Sequence, residues 1–205
     1  LFLALALLLP ILAQAQDSAA GNDPRHEEAK DLDRIVVTAS PLRQTAEELS
    51  QPVDVLSGER LDQAKSATLG ETLGKLPGVQ TSNFGAGVGR PIIRGLDGPR
   101  VGVLSGGLSS QDVSTISQDH ATAVEPFLAD QIEVLKGPAT LLYGSGAIGG
   151  VVNVVNGPIA ERPLDETFKG RAELRHDTVN RGRTAMARID ASGAEGALVV
   201  HADGV

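Results

Sequence analysis

One short stretch of the sequence has the residue pattern of a nucleotide-binding site. Residues 144–149 read Gly-Ser-Gly-Ala-Ile-Gly, which matches the G-x-G-x-x-G spacing at which glycines bring a backbone close to a pyrophosphate. That chemistry requires a strand before the motif and a helix N-terminus after it. Residues 151–155 are instead rich in valine and favour a strand, because β-branched side chains lose rotamer freedom in helices. The glycines therefore predict a tight turn with close backbone packing, and a nucleotide-dependent enzyme stays open as an alternative.

A second stretch has the residue types of a metal site. Asp119 and His120 are adjacent within residues 106–122, a long polar stretch without hydrophobic periodicity, and such loops are usually functional. Carboxylate and neutral imidazole are ligands that suit Zn²⁺, and Asp112 and Glu125 could assist by orienting them. A solvated surface pair has the same composition, so the residues alone leave both interpretations open. The other histidines receive no functional prediction: His26, His176 and His201.

Composition excludes several classes of function. The formal net charge is −8, which argues against a nucleic-acid partner because such a partner requires a basic face. The chain has no cysteine, so it has neither disulfides nor thiolate metal sites. No set of nucleophile, base and acid has both the spacing and the context of a catalytic centre. The sequence therefore predicts a protein that is not an enzyme and holds no cofactor.

The N-terminal part predicts export followed by a linker. Residues 1–12 form an apolar run and residues 13–15 read Ala-Gln-Ala, which together predict that residues 1–15 are a signal peptide, truncated at its start. Residues 16–50 are predicted to be a linker, since residues 16–32 are polar without an apolar period. Within it, residues 33–39 are β-prone. Such a segment can extend the sheet of another protein when its backbone groups are unpaired, or it can be the first strand of the domain.

Residues 51–160 predict a small domain of mixed strands and short helices. Residues 68–71 fit a capping box, Leu69, Leu73 and Leu76 share one helical face, and Pro77 ends that helix. The predicted strands are residues 53–56, 79–82, 90–95, 100–104, 132–135 and 151–155, and the predicted helices are residues 58–65, 68–76 and 126–130. A glycine-rich loop is predicted for residues 84–89.

Residues 161–205 change to an alternating pattern. Charged or polar side chains alternate with small or apolar ones in residues 169–177, 185–191 and 198–203, with turns between them. Strands of this kind are typical of the hairpins of outer-membrane β-barrels, although a water-exposed antiparallel sheet has the same alternation. About three strands leave an open edge, which lipid does not tolerate. A barrel would therefore make the sequence a fragment.

Several motifs, taken together, resemble the N-terminal part of TonB-dependent outer-membrane receptors. In family order they are residues 33–39 (the TonB box), 73–79 (an early plug helix and turn), 92–96 (the I-R-G motif), and 132–138, 142–144 and 149–154 (the plug signature). The resemblance implies an α+β plug domain, a small mixed sheet with short helices, for residues 51–160. It also implies that residues 161–205 begin a transmembrane β-barrel of about 22 strands, the size class whose lumen is plugged.

The resemblance further implies a location and partners. The receptor would lie in the outer membrane, in contact with lipid through its barrel, and the plug would face the periplasm and the barrel lumen. Transport would be driven by the inner-membrane proton gradient through TonB, ExbB and ExbD. The segment that the resemblance assigns to TonB binding, here called the TonB-box segment, consists of Asp33, Arg34, Ile35, Val36, Val37, Thr38 and Ala39.

Two basic residues would hold the plug to the barrel. The resemblance implies that Arg94 of the I-R-G motif and Lys136 of the plug signature pair with acidic side chains on the barrel wall. The family often has arginine at the second position, and lysine cannot form the bidentate fork of arginine. The alternative is that both are ordinary surface cations, whose ion pairs contribute little.

One subgroup of the family resembles residues 105–123 more closely. These residues, and above all Asp119 and His120, resemble a plug loop of zinc-uptake receptors, in which an adjacent Asp-His pair binds zinc and barrel residues complete the site. The resemblance thus implies import of zinc or a similar divalent metal. The alternatives are a receptor of the same family for a ferric siderophore or another chelate, and a soluble periplasmic binding module.

Overall fold

The computed structural model describes residues 36–39, 44–49, 51–85, 87–110, 112–137, 143–144, 146–157, 167–178, 181–193 and 199–204. Contacts divide the chain at Arg34, and all described residues belong to the second unit, Ile35–Val205. The predicted signal peptide (residues 1–15), residues 16–35 of the predicted linker, and His26 with them lie outside the described residues.

The elements follow the predicted order closely. They are β1 (Val53–Ser57), α1 (Gly58–Ala64), α2 (Leu69–Leu73), β2 (Val79–Asn83), β3 (Gly89–Ile93), β4 (Val101–Ser105), β5 (Leu108–Ser109), β6 (Gln131–Lys136), β7 (Gly150–Val155), β8 (Phe168–His176), β9 (Arg183–Ser192) and β10 (Val199–Gly204). Short 3₁₀ turns cover Gly98–Arg100, Val113–Thr115 and Pro126–Leu128. No helix in the described part is long and apolar enough to cross a membrane.

A mixed five-stranded sheet, in the order β1-β6-β7-β4-β5, forms the centre of the domain. β4 and β7 run parallel, whereas the other neighbours are antiparallel. β6 and β7 are buried along almost their whole length, because both faces of these central strands are covered, and their sequences are correspondingly apolar. β2 and β3 form a separate hairpin.

The two faces of the sheet pack two separate hydrophobic clusters. Side chains alternate between the faces along a strand, so Ile132 and Val134 of β6 join the first cluster, together with Leu61, Leu69 and other helix and hairpin residues. Leu135 of β6 faces the opposite way. The second cluster consists of Val37, Ala39, Val55, Leu104, Leu135, Ala147 and Val151. Residues of the TonB-box segment thus contribute to the core of the domain.

Two helices differ from the predicted bounds. The Thr68 hydroxyl oxygen accepts the Glu71 backbone N–H at 3.2 Å, which confirms the predicted N-cap, while the Glu71 carboxylate accepts from Ser66 instead of completing a capping box. α2 ends at Leu73 rather than at residue 76, because the chain turns at Gly74, whose N–H is donated to the Glu71 carbonyl. Residues 126–128 form a 3₁₀ turn rather than a helix through residue 130.

The glycine motif at residues 144–149 leads directly into β7, so its described residues meet a strand where dinucleotide binding requires a helix N-terminus. A Cβ atom at Gly146 would lie 2.3 Å from the Pro99 carbonyl oxygen. At Gly150, where φ is +151°, a Cβ atom would lie 2.4 Å from the Leu135 carbonyl oxygen. Close backbone approach therefore explains these glycines, as the sequence predicts.

The three alternating stretches form one antiparallel sheet, in the order β10-β9-β8. β8 has nine residues and β9 has ten, lengths that fit strands crossing an outer membrane. The β8 register pairs Lys169 with Asp190 and Arg171 with Arg188 on one face, and Ala172 with Ala187 on the other, so most charged side chains fall on one face and small or apolar ones on the opposite face. The predicted strands are confirmed.

Candidate functional site

The described end of the TonB-box segment is docked on the domain. Val37 is fully buried and Ala39 is 5% exposed, and both pack in the second cluster. The Val37 N–H donates to the Gln44 carbonyl at 2.9 Å, and Val36 forms an antiparallel bridge with Thr45. The segment is therefore held from outside by residues 44–45 and from inside by the core.

A buried carboxylate receives the backbone of this segment. Glu133 is fully buried in β6. Its Oε1 accepts the Thr38 N–H at 2.7 Å and the Thr38 hydroxyl at 2.8 Å, and its Oε2 accepts the Ala39 N–H at 2.8 Å. Gln131 Nε2 donates to Oε1 at 2.7 Å and Asn153 Nδ2 donates to Oε2 at 3.0 Å. Five donors thus converge on one carboxylate, which matches the acceptor-only character of an ionised group.

The sheet register brings Asn153 to this carboxylate. Glu133 of β6 and Asn153 of β7 are directly paired, so both side chains lie on the face of the second cluster. The Asn153 Oδ1 accepts the Gly107 N–H at 2.8 Å, which directs Nδ2 towards Glu133 and towards the Thr38 hydroxyl at 3.1 Å. The turn between β4 and β5 therefore orients the amide that completes the site.

Two carbonyl groups of the segment are also bound. Gln131 Nε2 donates to the Val36 carbonyl at 3.0 Å, and the Tyr143 hydroxyl donates to the Ala39 carbonyl. Burial, and then the charge of Glu133, raises the pKa of Tyr143 above its ordinary value, so this phenol stays a donor at neutral pH. Several backbone groups of residues 36–39 are thus bonded to the domain, although these residues form an isolated bridge rather than the first strand of the domain. Strand addition to another protein stays a prediction.

The loop that carries Asp119 and His120 is closed by a different carboxylate. Asp112 Oδ1 accepts the Ser114 N–H at 3.0 Å and Oδ2 accepts the Ala123 N–H at 2.6 Å. Burial raises the pKa of Asp112, but the bonds from Ser114 and Ala123 and the charge of His120 outweigh it, so that the pKa lies below its ordinary value. Asp112 therefore closes the loop on which the pair lies, and its assisting role at a metal stays a prediction.

Asp119 and His120 contact each other on the surface of this loop. Asp119 Oδ1 lies 2.8 Å from His120 Nδ1 and also accepts the Ser117 hydroxyl, and both side chains are more than half exposed. The bond from Ser117, followed by that from His120, lowers the pKa of Asp119. No group of three metal-ligating side chains occurs among the described residues. The pair can therefore supply two ligands, and Glu125, which faces Arg175 at 3.6 Å, is directed elsewhere.

The two basic residues predicted to hold the barrel have different surroundings. Lys136 is buried, forms an ion pair with Asp54, and donates to the Pro77 carbonyl. Arg94 is exposed and has a positive φ of 51°. Its backbone N–H donates to the Gly78 carbonyl at 2.9 Å. The alternative of an ordinary surface cation is therefore wrong for Lys136. Pairing with a barrel wall stays a prediction for both residues.

Charged side chains of β8 and β9 contact the domain. The sequence analysis did not predict this contact. Arg188 is 7% exposed, and its Nη1 lies 2.9 and 3.0 Å from the two Asp130 carboxylate oxygens and 3.1 Å from the Leu128 carbonyl. Arg171 also reaches the Leu128 carbonyl, at 3.0 Å, and lies over the Phe127 ring at 5.4 Å. The alternating pattern predicted that both arginines lie on the charged face of the strands. It did not predict their partners, the Leu128 carbonyl and Asp130.

Comparison with known proteins identifies the domain. The family model for the TonB-dependent Receptor Plug Domain matches residues 45–151, which is more than half of the chain. A hemin receptor of Yersinia pestis is 32% identical over 162 residues, which cover 74% of this chain and 22% of the receptor. The vitamin B12 transporter BtuB of Vibrio cholerae is 29% identical over 174 residues, 84% of this chain and 26% of that protein.

The chain thus spans about a quarter of the length of the curated relatives it matches. Among solved structures, the FpvAI–pyocin S2 complex matches with a TM-score of 0.59 at 22% identity, over 81% of this chain and 22% of that one. This likeness concerns the fold and includes the plug and the strands that follow it. The family consists of transport receptors rather than enzymes, as the sequence predicts. The chain belongs to the family of TonB-dependent receptor plug domains, and strands that resemble the beginning of the receptor barrel follow its plug.

Proposed function

We propose that this chain is the N-terminal part of an outer-membrane receptor that imports its cargo with energy delivered by TonB, ExbB and ExbD. The plug faces the periplasm and the barrel lumen. The observation that carries the proposal is the docking of residues 36–39 on the plug through Glu133, because a segment that is built into the plug can pass a pull on to it. Residues 1–15 act as signal peptide, 16–50 as linker, 51–160 as plug and 161–205 as the start of the barrel.

TonB binds the TonB-box segment by adding a strand to Ile35, Val36 and Val37. Val36 is 39% exposed whereas Val37 is fully buried, so a partner that approaches from the Val36 side reaches the segment without first entering the core. In the described contacts, Val36 is bonded to the plug through its carbonyl group. Removing the Val36 N–H therefore tests strand addition without removing that bond.

Val36→Pro in the full-length receptor tests this partner. Proline removes the backbone N–H and fixes φ, so strand addition to TonB fails. Energised uptake is expected to stop while cargo binding to isolated outer membranes persists, and Val36→Ala is the matched control that keeps the N–H. Equal loss of binding and uptake would point to misfolding, and normal uptake by the proline variant would contradict the proposed partner.

We propose zinc or a similar divalent metal as the cargo. Asp119 and His120 lie side by side on an exposed loop and offer a carboxylate and an imidazole, which is half of a four-ligand zinc site. Two further ligands would come from the barrel, so that metal binding would connect plug and barrel. The alternative cargo is a ferric siderophore or another chelate. It is supported by the hemin and vitamin B12 cargoes in the names of the relatives.

A titration of the full-length receptor separates these cargoes. Zinc, hemin and a ferric siderophore are each titrated against the unaltered receptor and against the double variant Asp119→Ala/His120→Ala. The double variant is expected to bind zinc at least about tenfold more weakly. His176 and Asp177 are a second adjacent pair with the same residue types. The matched control is therefore the double variant His176→Ala/Asp177→Ala. Unchanged zinc affinity in the Asp119/His120 variant would reject the metal site, and binding of a chelate alone would establish the alternative.

Arg94 and Lys136 are proposed to hold the plug to acidic side chains of the barrel wall. Arg94 is exposed and can form such a pair directly. Lys136 is already paired with Asp54, so that it reaches the wall only by giving up that partner. Arg94 should therefore contribute the larger share of the attachment. The remaining alternative, a soluble periplasmic module, predicts that the full-length product is recovered in the soluble periplasmic fraction.

A further inference from the structure

We propose that Glu133 is a retaining clamp for the TonB-box segment: it limits the exposure of the segment to TonB at rest and is the point at which a pull enters the plug. This inference rests on the proposed function and adds a regulatory element to it. The clamp is defined as the Glu133 carboxylate with its two supporting side chains, Asn153 and Tyr143. Its target is the backbone of Thr38 and Ala39.

The first argument is geometric. Two successive backbone N–H groups, of Thr38 and Ala39, are divided between the two oxygens of a single carboxylate, at 2.7 and 2.8 Å. The Thr38 hydroxyl adds a third bond at 2.8 Å. An ionised carboxylate accepts hydrogen bonds and donates none, and its bonds are roughly twice as strong as neutral ones. The arrangement therefore recognises the main chain of the segment rather than its side-chain identity.

The second argument is electrostatic. Glu133 is fully buried, and no described basic side chain forms an ion pair with it. A buried charge is costly unless hydrogen bonds compensate it. Three of the five donors come from Thr38 and Ala39, so departure of the segment would leave the carboxylate with Gln131 and Asn153. The charge thus favours the docked state until water replaces the lost donors.

The third argument concerns the supports. Asn153 links the carboxylate to the Thr38 hydroxyl, and its own oxygen is held by the Gly107 N–H. Tyr143 binds the carbonyl of Ala39, on the other side of the same peptide chain. Val37 is fully buried in the second cluster, against which Tyr143 also packs. Every support lies in the plug, so the clamp is complete without a contribution from the barrel.

The position of the clamp in the sheet suggests how a pull is transmitted. β6 lies between β1 and β7, and β7 carries Asn153. A pull that enters from the Val36 side would first open the bridge to Thr45 at the edge, because locally weak contacts open first. The load would then reach Thr38 and Ala39 and pass through Glu133 into the two central strands. Release of the segment and disturbance of the sheet are thereby coupled.

A cysteine reporter tests the clamp in the full-length receptor. The chain has no cysteine, so Val37→Cys, with any cysteine outside this chain replaced, reports on undocking through its rate of reaction with a maleimide. Glu133→Gln keeps the shape of the side chain but presents an NH₂ group to one of the backbone N–H groups. We expect the labelling rate to rise about tenfold or more, equivalent to about 1.4 kcal/mol. The cargo-free affinity for the purified C-terminal domain of TonB should rise by a similar factor.

Two further variants make the result specific. Thr38→Val removes the hydroxyl donor from the segment side and should increase labelling by a smaller factor. Leu73→Ala weakens the first hydrophobic cluster, away from the segment, and should leave labelling nearly unchanged. Equal acceleration by Leu73→Ala and Glu133→Gln would overturn the clamp in favour of general loosening of the plug. Unchanged labelling in Glu133→Gln would overturn it directly.

The same measurements separate this inference from the proposed function. Labelling of Val37→Cys reports on docking whether or not TonB binds. If the unaltered receptor failed to bind the TonB domain with and without cargo, the proposed function would fail while the labelling comparison still decided the clamp. If the unaltered receptor bound TonB and Glu133→Gln changed neither labelling nor affinity, the clamp alone would be rejected.

Discussion

Glu133 and Asp119 are both carboxylates that accept hydrogen bonds from near neighbours, yet their surroundings differ in every other respect. Glu133 is fully buried and receives five donors from four residues. Asp119 is more than half exposed and receives Ser117 and His120 from its own loop. The first site holds a segment of the chain with its own side chains, whereas the second, as the proposed metal site, would need further ligands from elsewhere. The comparison separates a proposed retaining function from a proposed capturing one.

The largest effect is expected from removing the Glu133 carboxylate, the acceptor for the Thr38 and Ala39 N–H groups. Glu133→Leu leaves the Thr38 and Ala39 N–H groups without a partner, so the free energy of docking should fall by about 2–4 kcal/mol. Hydrogen exchange of residues 36–39 in the full-length receptor measures this as lost protection. Val134→Ala, one residue along and on the opposite face, is the control and should keep that protection. Persistent protection in Glu133→Leu would contradict the comparison.

A smaller effect is expected where the loop is closed. Asp112→Ala removes the acceptor for the Ser114 and Ala123 N–H groups, a loss typical of an N-cap, of about 0.5–2 kcal/mol. Proteolytic cleavage between residues 113 and 123 should become faster in the intact receptor. Asp112→Asn keeps one acceptor oxygen, so its cleavage rate should lie between those of the unaltered receptor and Asp112→Ala. Cleavage at the unaltered rate would show that the loop is ordered by other contacts.

Tyr143→Phe sharpens the view of the Glu133 site by deleting one support. The variant loses a single hydrogen bond to the Ala39 carbonyl and should weaken docking by about 0.5–1.5 kcal/mol. Maleimide labelling of Val37→Cys should therefore accelerate less than in Glu133→Gln. An effect as large as that of Glu133→Gln would move the centre of the site from the carboxylate to the phenol.

The loop should also respond to acid at a characteristic pH. The folded pKa of Asp112 lies below its ordinary value of 3.8, so its stabilising contribution is fully present above that value and is lost as the pH falls through the lowered pKa. Cleavage of the loop by an acid-active protease should increase only below about pH 4. In Asp112→Asn the increase should be absent, and an increase of the same size in that variant would show that another group controls the loop.

The smallest effect is expected for the exposed pair. Asp119→Ala/His120→Ala alters side chains that are more than half exposed, so the free energy of unfolding should change by less than about 0.5 kcal/mol. Thermal unfolding of the unaltered and variant receptors without metal measures this. Added zinc should then stabilise the unaltered receptor more than the variant. A large loss of stability without metal would show that the pair is a structural contact.

Much of the fold could be predicted because strands leave a strong pattern. The periods of β1, β6 and β8 predicted those strands to within one or two residues. The end of α2 could not be placed, because turning at Gly74 depends on local hydrogen bonding rather than on the spacing of Leu69, Leu73 and Leu76. Contacts between distant segments, such as that of Arg188 with Asp130, have no signature in a single sequence.

The Glu133 site was harder to recognise than the exposed pair. Asp119 and His120 stand out because their residue types belong to metal chemistry. Glu133 lies in Ile-Glu-Val-Leu and Asn153 in Val-Val-Asn-Val, each a polar interruption of an apolar strand. A polar residue in such a strand must find a buried partner, so the interruption was a usable signal. The identity of the partner, a backbone more than ninety residues away, was not.

The contact of Arg188 with Asp130 has a mechanical consequence. Asp130 immediately precedes β6, the strand that carries Glu133. Arg188 of β9 therefore holds the start of this strand to the first hairpin after the plug. The exit of β6, at Lys136, is tied to Asp54 and Pro77 within the plug itself. Traction on the TonB-box segment would therefore act on a strand that β9 holds at its start and that the plug alone holds at its end. If the plug moves relative to β9, separation of the strand should begin at the Lys136 end.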